Sequence, residues 1–119
     1  MLVVEDEPAI AQVCLRVLTP KGYEVTLAAD GREAIRLLLS ETFNICLIDV
    51  RTPNMSGAEL YSWIIDHNKA LSGGVIFTTG DVASGETATF LTDTGRPTLP
   101  KPFGPAELLE KIRTVVSGL

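Results

Sequence analysis

The side chains best placed for chemistry in this chain share one habit: each follows directly on a short apolar run. Glu5 and Asp6 come after Leu2-Val3-Val4, and Asp49 after Ile45 to Ile48. Thr78 and Thr79 close the run Val75 to Phe77, and Lys101 follows a very short run near Thr98-Leu99 that prolines flank. If these runs are strands of one parallel sheet, all four places lie on the same rim. Three acids, a hydroxyl and an amine then converge without being close in sequence. Carboxylates that close raise one another's pKa values, and a divalent cation relieves the repulsion. An all-oxygen ligand set favours Mg²⁺, with Mn²⁺ as the substitute of similar chemistry. Such a metal bridges a carboxylate and an incoming phosphoryl group, while Lys101 pairs with Asp49 or its phosphate oxygens and a threonine hydroxyl donates to another. The set is complete for phosphoryl transfer to an aspartate. Taken singly, each residue has a plainer reading: Glu5 or Asp6 as a helix cap, Asp49 as a turn former, Lys101 as a solvated charge. The plain readings do not require acid pair, acid, hydroxyl and amine to meet at one rim.

The elements that must position these residues alternate five times between short apolar runs and helical patterns, as in an α/β fold with a parallel sheet. Leu2–Val4 is the first strand. A helix after Pro8 carries Ile10, Val13, Cys14, Val17 and Leu18 on one face and ends at Lys21-Gly22. Tyr23, Val25 and Leu27 alternate with Glu24 and Thr26 as a half-exposed strand. Asp30 and Glu33 open a second helix with Ala34, Ile35, Leu38 and Leu39 inward. Ile45–Ile48 and Val75–Phe77 read as central strands. Between them, Ser56 and Glu59 form a capping-box pattern ahead of Leu60 and Ile64. Ser84 opens a fourth helix that Gly95 ends, and Thr98-Leu99, bracketed by prolines, fits only an edge strand. Pro105 begins the last helix, with Leu108, Leu109, Ile112, Val115 and Val116 on its inner face. With strands two and five as edges, the doubly wound, flavodoxin-like order 2-1-3-4-5 follows, its ligand site at the switch between strands one and three.

Composition narrows the function. The 119 residues are one domain's worth, 45% apolar, and the net charge of −5 argues against a nucleic-acid surface. Cys14 and Cys46 sit in apolar patterns as small buried hydrophobes, which suits reduced thiols in a cytoplasmic setting. No apolar run reaches the ~18 residues a membrane span needs, and no signal-peptide pattern is present. The chain opens directly in strand, so it reads as a domain of residues 1–119 cut from something longer. Neither a lysine-bearing phosphate loop nor a GxGxxG turn is present, which sets nucleotide hydrolysis aside.

Four motifs, LVVEDEP, LIDVRTPNMSG, VIFTTGD and LPKPF, resemble the response-regulator receiver domains of two-component signalling over essentially the whole chain. The resemblance implies a (βα)5 receiver fold in which Asp49 is the phosphoacceptor, charged by a histidine kinase or histidine-phosphotransfer partner. It implies Asp6 and Asp49 as direct metal ligands, Glu5 through water, and the backbone carbonyl of Arg51 as another ligand. Thr79, followed by the small Gly80, matches the switch hydroxyl, and Lys101 the site lysine, its bond to Pro102 cis. The stretch from Phe77 to Phe103 is most similar to receivers at the carboxyl end of hybrid histidine kinases. Two residues depart from the family pattern. Thr98 stands where an aromatic is common, so the usual aromatic readout is missing, and Glu5 replaces a more frequent aspartate.

The leading reading is thus a phosphorelay switch that catalyses only its own modification and hydrolysis, as a monomer or a weak dimer through its last two helices. A Mg²⁺-dependent aspartyl-phosphate phosphatase is a second class, although Arg51 stands where such enzymes place a second acid. A receiver-like interaction module that is never phosphorylated is a third. Two local expectations follow: an ion pair between Arg51 and Asp81 gating the pocket mouth, and a loosely held fourth helix, since Gly85, Thr87, Thr89, Thr92 and Thr94 are poor helix formers.

Overall fold

Continuous apolar strands must be covered on both faces, and the chain meets this demand with a five-stranded parallel sheet between two helical layers. The computed structural model describes residues 1–80 and 85–119. The strands are β1 (Leu2–Val4), β2 (Thr26–Ala28), β3 (Cys46–Asp49), β4 (Val75–Thr79) and β5 (Thr98–Pro100). Their order is β2-β1-β3-β4-β5, all pairs parallel. The α-helices among the described residues are α1 (Pro8–Leu18), α2 (Gly31–Ser40), α3 (Gly57–His67), α4 (Lys69–Ser72), α5 (Gly85–Thr94) and α6 (Pro105–Ser117), with one 3₁₀ turn, Thr19–Lys21, after α1.

Alternation along the strands divides the core. Leu2, Val4, Cys46, Ile48, Val75 and Phe77 face α2, α3 and α4, with Phe90 and Leu91 of α5 packed partly against them. Val3, Ile45, Leu47, Ile76 and Leu99 face α1 and α6. Leu108 and Ile112 of α6 are fully buried there, each contributing about 1.5–3 kcal/mol.

Local signals explain most helix ends. Asp30 accepts from the Glu33 N–H at 2.9 Å to start α2. Ser56 and Glu59 complete both halves of a capping box on α3. Gly95, at φ +64°, takes the left-handed turn after α5 that other residues resist. The Glu107 carboxylate reaches back to the Gly104 N–H at the start of α6.

Several expectations need correction. The second strand is only Thr26–Ala28, because Tyr23 and Val25 lie before the ladder with β1 begins. Val13 is 37% exposed and Leu39 73%, since each points roughly 120° from the centre of its helix's buried face at 3.6 residues per turn. Val116, 42% exposed, lies on the flank of α6 beside the chain end. The four-residue α4 was not anticipated, being too short to show any periodicity. Ser84, expected to open the fourth helix (here α5), lies outside the described residues.

Candidate functional site

Register brings the polar residues level. Val4 pairs with Ile48, so Glu5 and Asp49 leave neighbouring strands side by side. Asp49 in turn pairs with Thr78, and Thr79 with Pro100, which sets Lys101 one residue beyond Thr79. Backbone bonds hold these exits. The Glu5 N–H donates to Ala28 O at 2.9 Å, Val50 N–H to Thr78 O at 3.0 Å, and Lys101 N–H to Thr79 O at 2.8 Å. The Lys101–Pro102 peptide is cis.

Lys101 is the centre of charge. Its Nζ lies 2.9 Å from Asp49 Oδ2, 3.0 Å from Glu5 Oε2 and 3.3 Å from Glu7 Oε1. Burial works to lower the ammonium's pKa, but the hydrogen bonds it donates to Asp49 and Glu5 outweigh it and hold it above the usual lysine value. The Glu5 carboxyl is held above the ordinary glutamate range, first by burial and then by the charge of Asp49, with the Lys101 bond opposing both. Crowding of acids thus acts on Glu5 as anticipated, although burial is the larger cause.

One oxygen each from Glu5, Asp6 and Asp49 lies within 4.8 Å of the others, a donor set that fits a hard divalent cation. Glu5 and Asp49 are buried and Asp6 is exposed, so the cluster opens to solvent on one side. The cleft above it, about 370 Å³, is lined by Asp6, Glu7, Asp49, Arg51, Gly80 and Lys101.

The loop after β3 is tied down at several points. The Arg51 N–H donates to Asp49 Oδ1 at 3.1 Å, and the Thr52 hydroxyl donates to Met55 O. Asn54, at φ +66°, gives its side-chain N–H to Asp30 Oδ2 at 2.8 Å. A Cβ on Gly57 would stand 2.8 Å from Val50 Cα and 2.9 Å from Asp49 O, so only glycine lets α3 start this close to the acid.

The sheet therefore brings together Glu5, Asp6, Asp49 and Lys101, with Arg51 on the cleft wall and Thr79 buried at the end of β4. Asp81, the other half of the expected Arg51 gate, lies outside the described residues. Glu7 escaped the sequence reading, although it extends the run Glu5-Asp6; its reach to Lys101 depends on a residue 94 positions away. The Asp30–Asn54 bond likewise spans 24 positions and left no local signal.

The comparisons with known proteins agree with this geometry. The family model described as "Response regulator receiver domain" matches residues 1–113. The transcriptional regulatory protein DltR of Streptococcus agalactiae is 32% identical over 113 residues, covering 95% of this chain and 50% of DltR. The chain spans about half the length of the curated relatives it matches first. Among solved structures, a CheY-like receiver domain protein from Methanospirillum hungatei JF-1 superposes with a TM-score of 0.87 at 34% identity, covering 98% of this chain and 92% of that one. The receiver domain of sensor histidine kinase PA1611 from Pseudomonas aeruginosa PAO1, which has a magnesium ion coordinated in its active-site cleft, superposes at 0.86 with 29% identity, covering 98% and 95%. With its motifs, strand order and acidic rim all in agreement, the chain belongs to the response regulator receiver domain family.

Proposed function

We propose that this domain takes a phosphoryl group from a partner's phosphohistidine onto Asp49 and passes the signal by changing what it binds. The observation that carries the reading is the pairing of Lys101 Nζ with Asp49 Oδ2 at 2.9 Å, beside an acid trio able to hold a cation. Asp6 and Asp49 would hold Mg²⁺ directly in this reading, Glu5 would do so through water, and the Arg51 carbonyl would add a further oxygen; Mn²⁺ suits the same set. A cation held there would supply charge neutralisation for the phosphoryl oxygens and the acceptor carboxylate.

An Asp49 oxygen attacks phosphorus while the bond from phosphorus to the donor imidazole nitrogen breaks, and that nitrogen leaves with the electron pair. Lys101 follows the charge from the carboxylate to the phosphoryl oxygens, and the Thr79 hydroxyl donates to another. Hydrolysis reverses the modification: water attacks phosphorus, the bond to Asp49 breaks, and inorganic phosphate departs. Thr79 continues the strand face of Val75 and Phe77, and the Phe77 ring meets Phe90 of α5 edge-on at 5.1 Å. That contact supplies a path from the hydroxyl to α5 even with Thr98 in the place of an aromatic. The likeness to both a regulator and a sensor-kinase receiver suits a domain carried by a longer protein, with its effector or kinase part elsewhere.

Intact-mass measurement after incubation with Mg²⁺ and acetyl phosphate tests the reading. One added phosphoryl group, lost in Asp49→Ala and in chelator, is expected. A protein that binds Mg²⁺ yet gains no mass from acetyl phosphate or from a histidine-phosphotransfer partner defeats it.

A further inference from the structure

Lys101 carries three N–H donors, and three carboxylates stand around it: Asp49 at 2.9 Å, Glu5 at 3.0 Å and Glu7 at 3.3 Å. No donor is left over for a phosphoryl oxygen. Capturing one requires the ammonium to release a carboxylate, and the three differ in how easily they let go. The Glu5 and Asp49 side chains are 4% and 8% exposed, whereas Glu7 is 58% exposed and makes the longest of the three contacts. Water can solvate a released Glu7 at little cost, but not a released Glu5.

The position of Glu7 supports the same view. It is the N-cap residue of α1, yet its side chain makes no capping bond, and its N–H is satisfied by Glu5 Oε1 at 3.1 Å. The side chain is committed instead to Lys101, and it lines the cleft above Asp49. We propose that Glu7 is a positioning residue that acts through Lys101: it occupies the third N–H in the unphosphorylated domain and yields it to the phosphoryl group. Glu7 is thus a competitor built into the site, lowering the affinity of the resting domain for a phosphoryl group. The inference rests on the Asp49 reading above.

The test is the affinity for beryllofluoride, a phosphoryl mimic, in saturating Mg²⁺, followed by amide NMR titration of the wild type, Glu7→Gln and Glu7→Asp. Aspartate keeps the charge but is one methylene too short to hold the contact. Both variants should bind about threefold more tightly or better, the scale of a part-exposed ion pair, and the thermal midpoint of the free domain should fall by no more than about 3 °C, the same contact read as stability. If Glu7→Gln tightens binding while Glu7→Asp matches the wild type, the general field of the carboxylate is responsible and the proposal is overturned. Wild-type affinity in both variants overturns it as well. A wild type that binds Mg²⁺ but no beryllofluoride overturns the Asp49 reading, and this inference with it.

Discussion

Lys101 illustrates how a site residue here is also a structural one. It is the cation nearest two buried carboxylates, and its own side chain is only 12% exposed. Removing one partner of a buried cluster strands the remaining charges, which typically costs several kcal/mol. Lys101→Ala should therefore destabilise the metal-free domain by about 2–3 kcal/mol in urea unfolding, and millimolar Mg²⁺ should restore part of the loss. The cysteines show the opposite behaviour, being packed rather than poised. Burial pushes the Cys14 thiol up to about 11 and Cys46 up to about 12. Neither should react with a disulfide reagent at pH 8 until the chain unfolds. The sign for stability follows from the same shifts. Between an unfolded thiol's ordinary value and these raised values the unfolded chain has lost protons that the native one keeps, so stability falls as pH rises above about 9. A urea midpoint unchanged from pH 8 to 10.5 would contradict the burial of both thiols.

Among the elements, α5 and the start of α3 stand at opposite extremes. No residue of α5 is buried, and Phe90 and Leu91 pack it against the core, whereas α6 buries Leu108, Ile112 and Val115. Its threonines and Gly85 add little helix propensity of their own. Amide exchange in α5 should outpace that in α6 by roughly tenfold or more, fitting an element whose packing phosphorylation can bias. Equal protection in the two helices would remove α5 from that role. At the start of α3 nothing can yield, because a Cβ at Gly57 would press on the backbone of Val50 and Asp49. Gly57→Ala should cost about 2 kcal/mol or more and weaken Mg²⁺ binding together with stability, since the strained backbone carries Asp49 itself.

On the scale of the whole molecule, folding gathers three acids whose repulsion Lys101 relieves only in part, so a bound cation should stabilise the fold. At ten times its dissociation constant, Mg²⁺ should add about 1.4 kcal/mol, a rise of roughly 5 °C in the thermal midpoint for a domain of this size. Asp6→Asn should abolish that rise. Its persistence in the variant would place the metal elsewhere. No helix among the described residues is long and apolar enough to cross a membrane.

Much of this is legible in the amino-acid sequence alone. Apolar runs of strand length mark β1, β3 and β4, and the Ser56–Glu59 and Asp30–Glu33 pairs mark helix starts, because these signals act within a few residues. Their places just after strands also single out Glu5, Asp6, Asp49 and Lys101, since a parallel order sends them to one rim. What escaped had a long-range or marginal cause. Which helical apolar residues face inward, Ala11 rather than Val13, depends on how each helix seats on the sheet. Where the edge strand β2 begins depends on its ladder with β1. The third partner of Lys101 and the tie from Asn54 to Asp30 exist only because distant segments meet, at distances that no local spacing encodes. The types of the reacting groups are thus written along the chain, whereas their contacts, and so the competition for Lys101, are decided by tertiary packing.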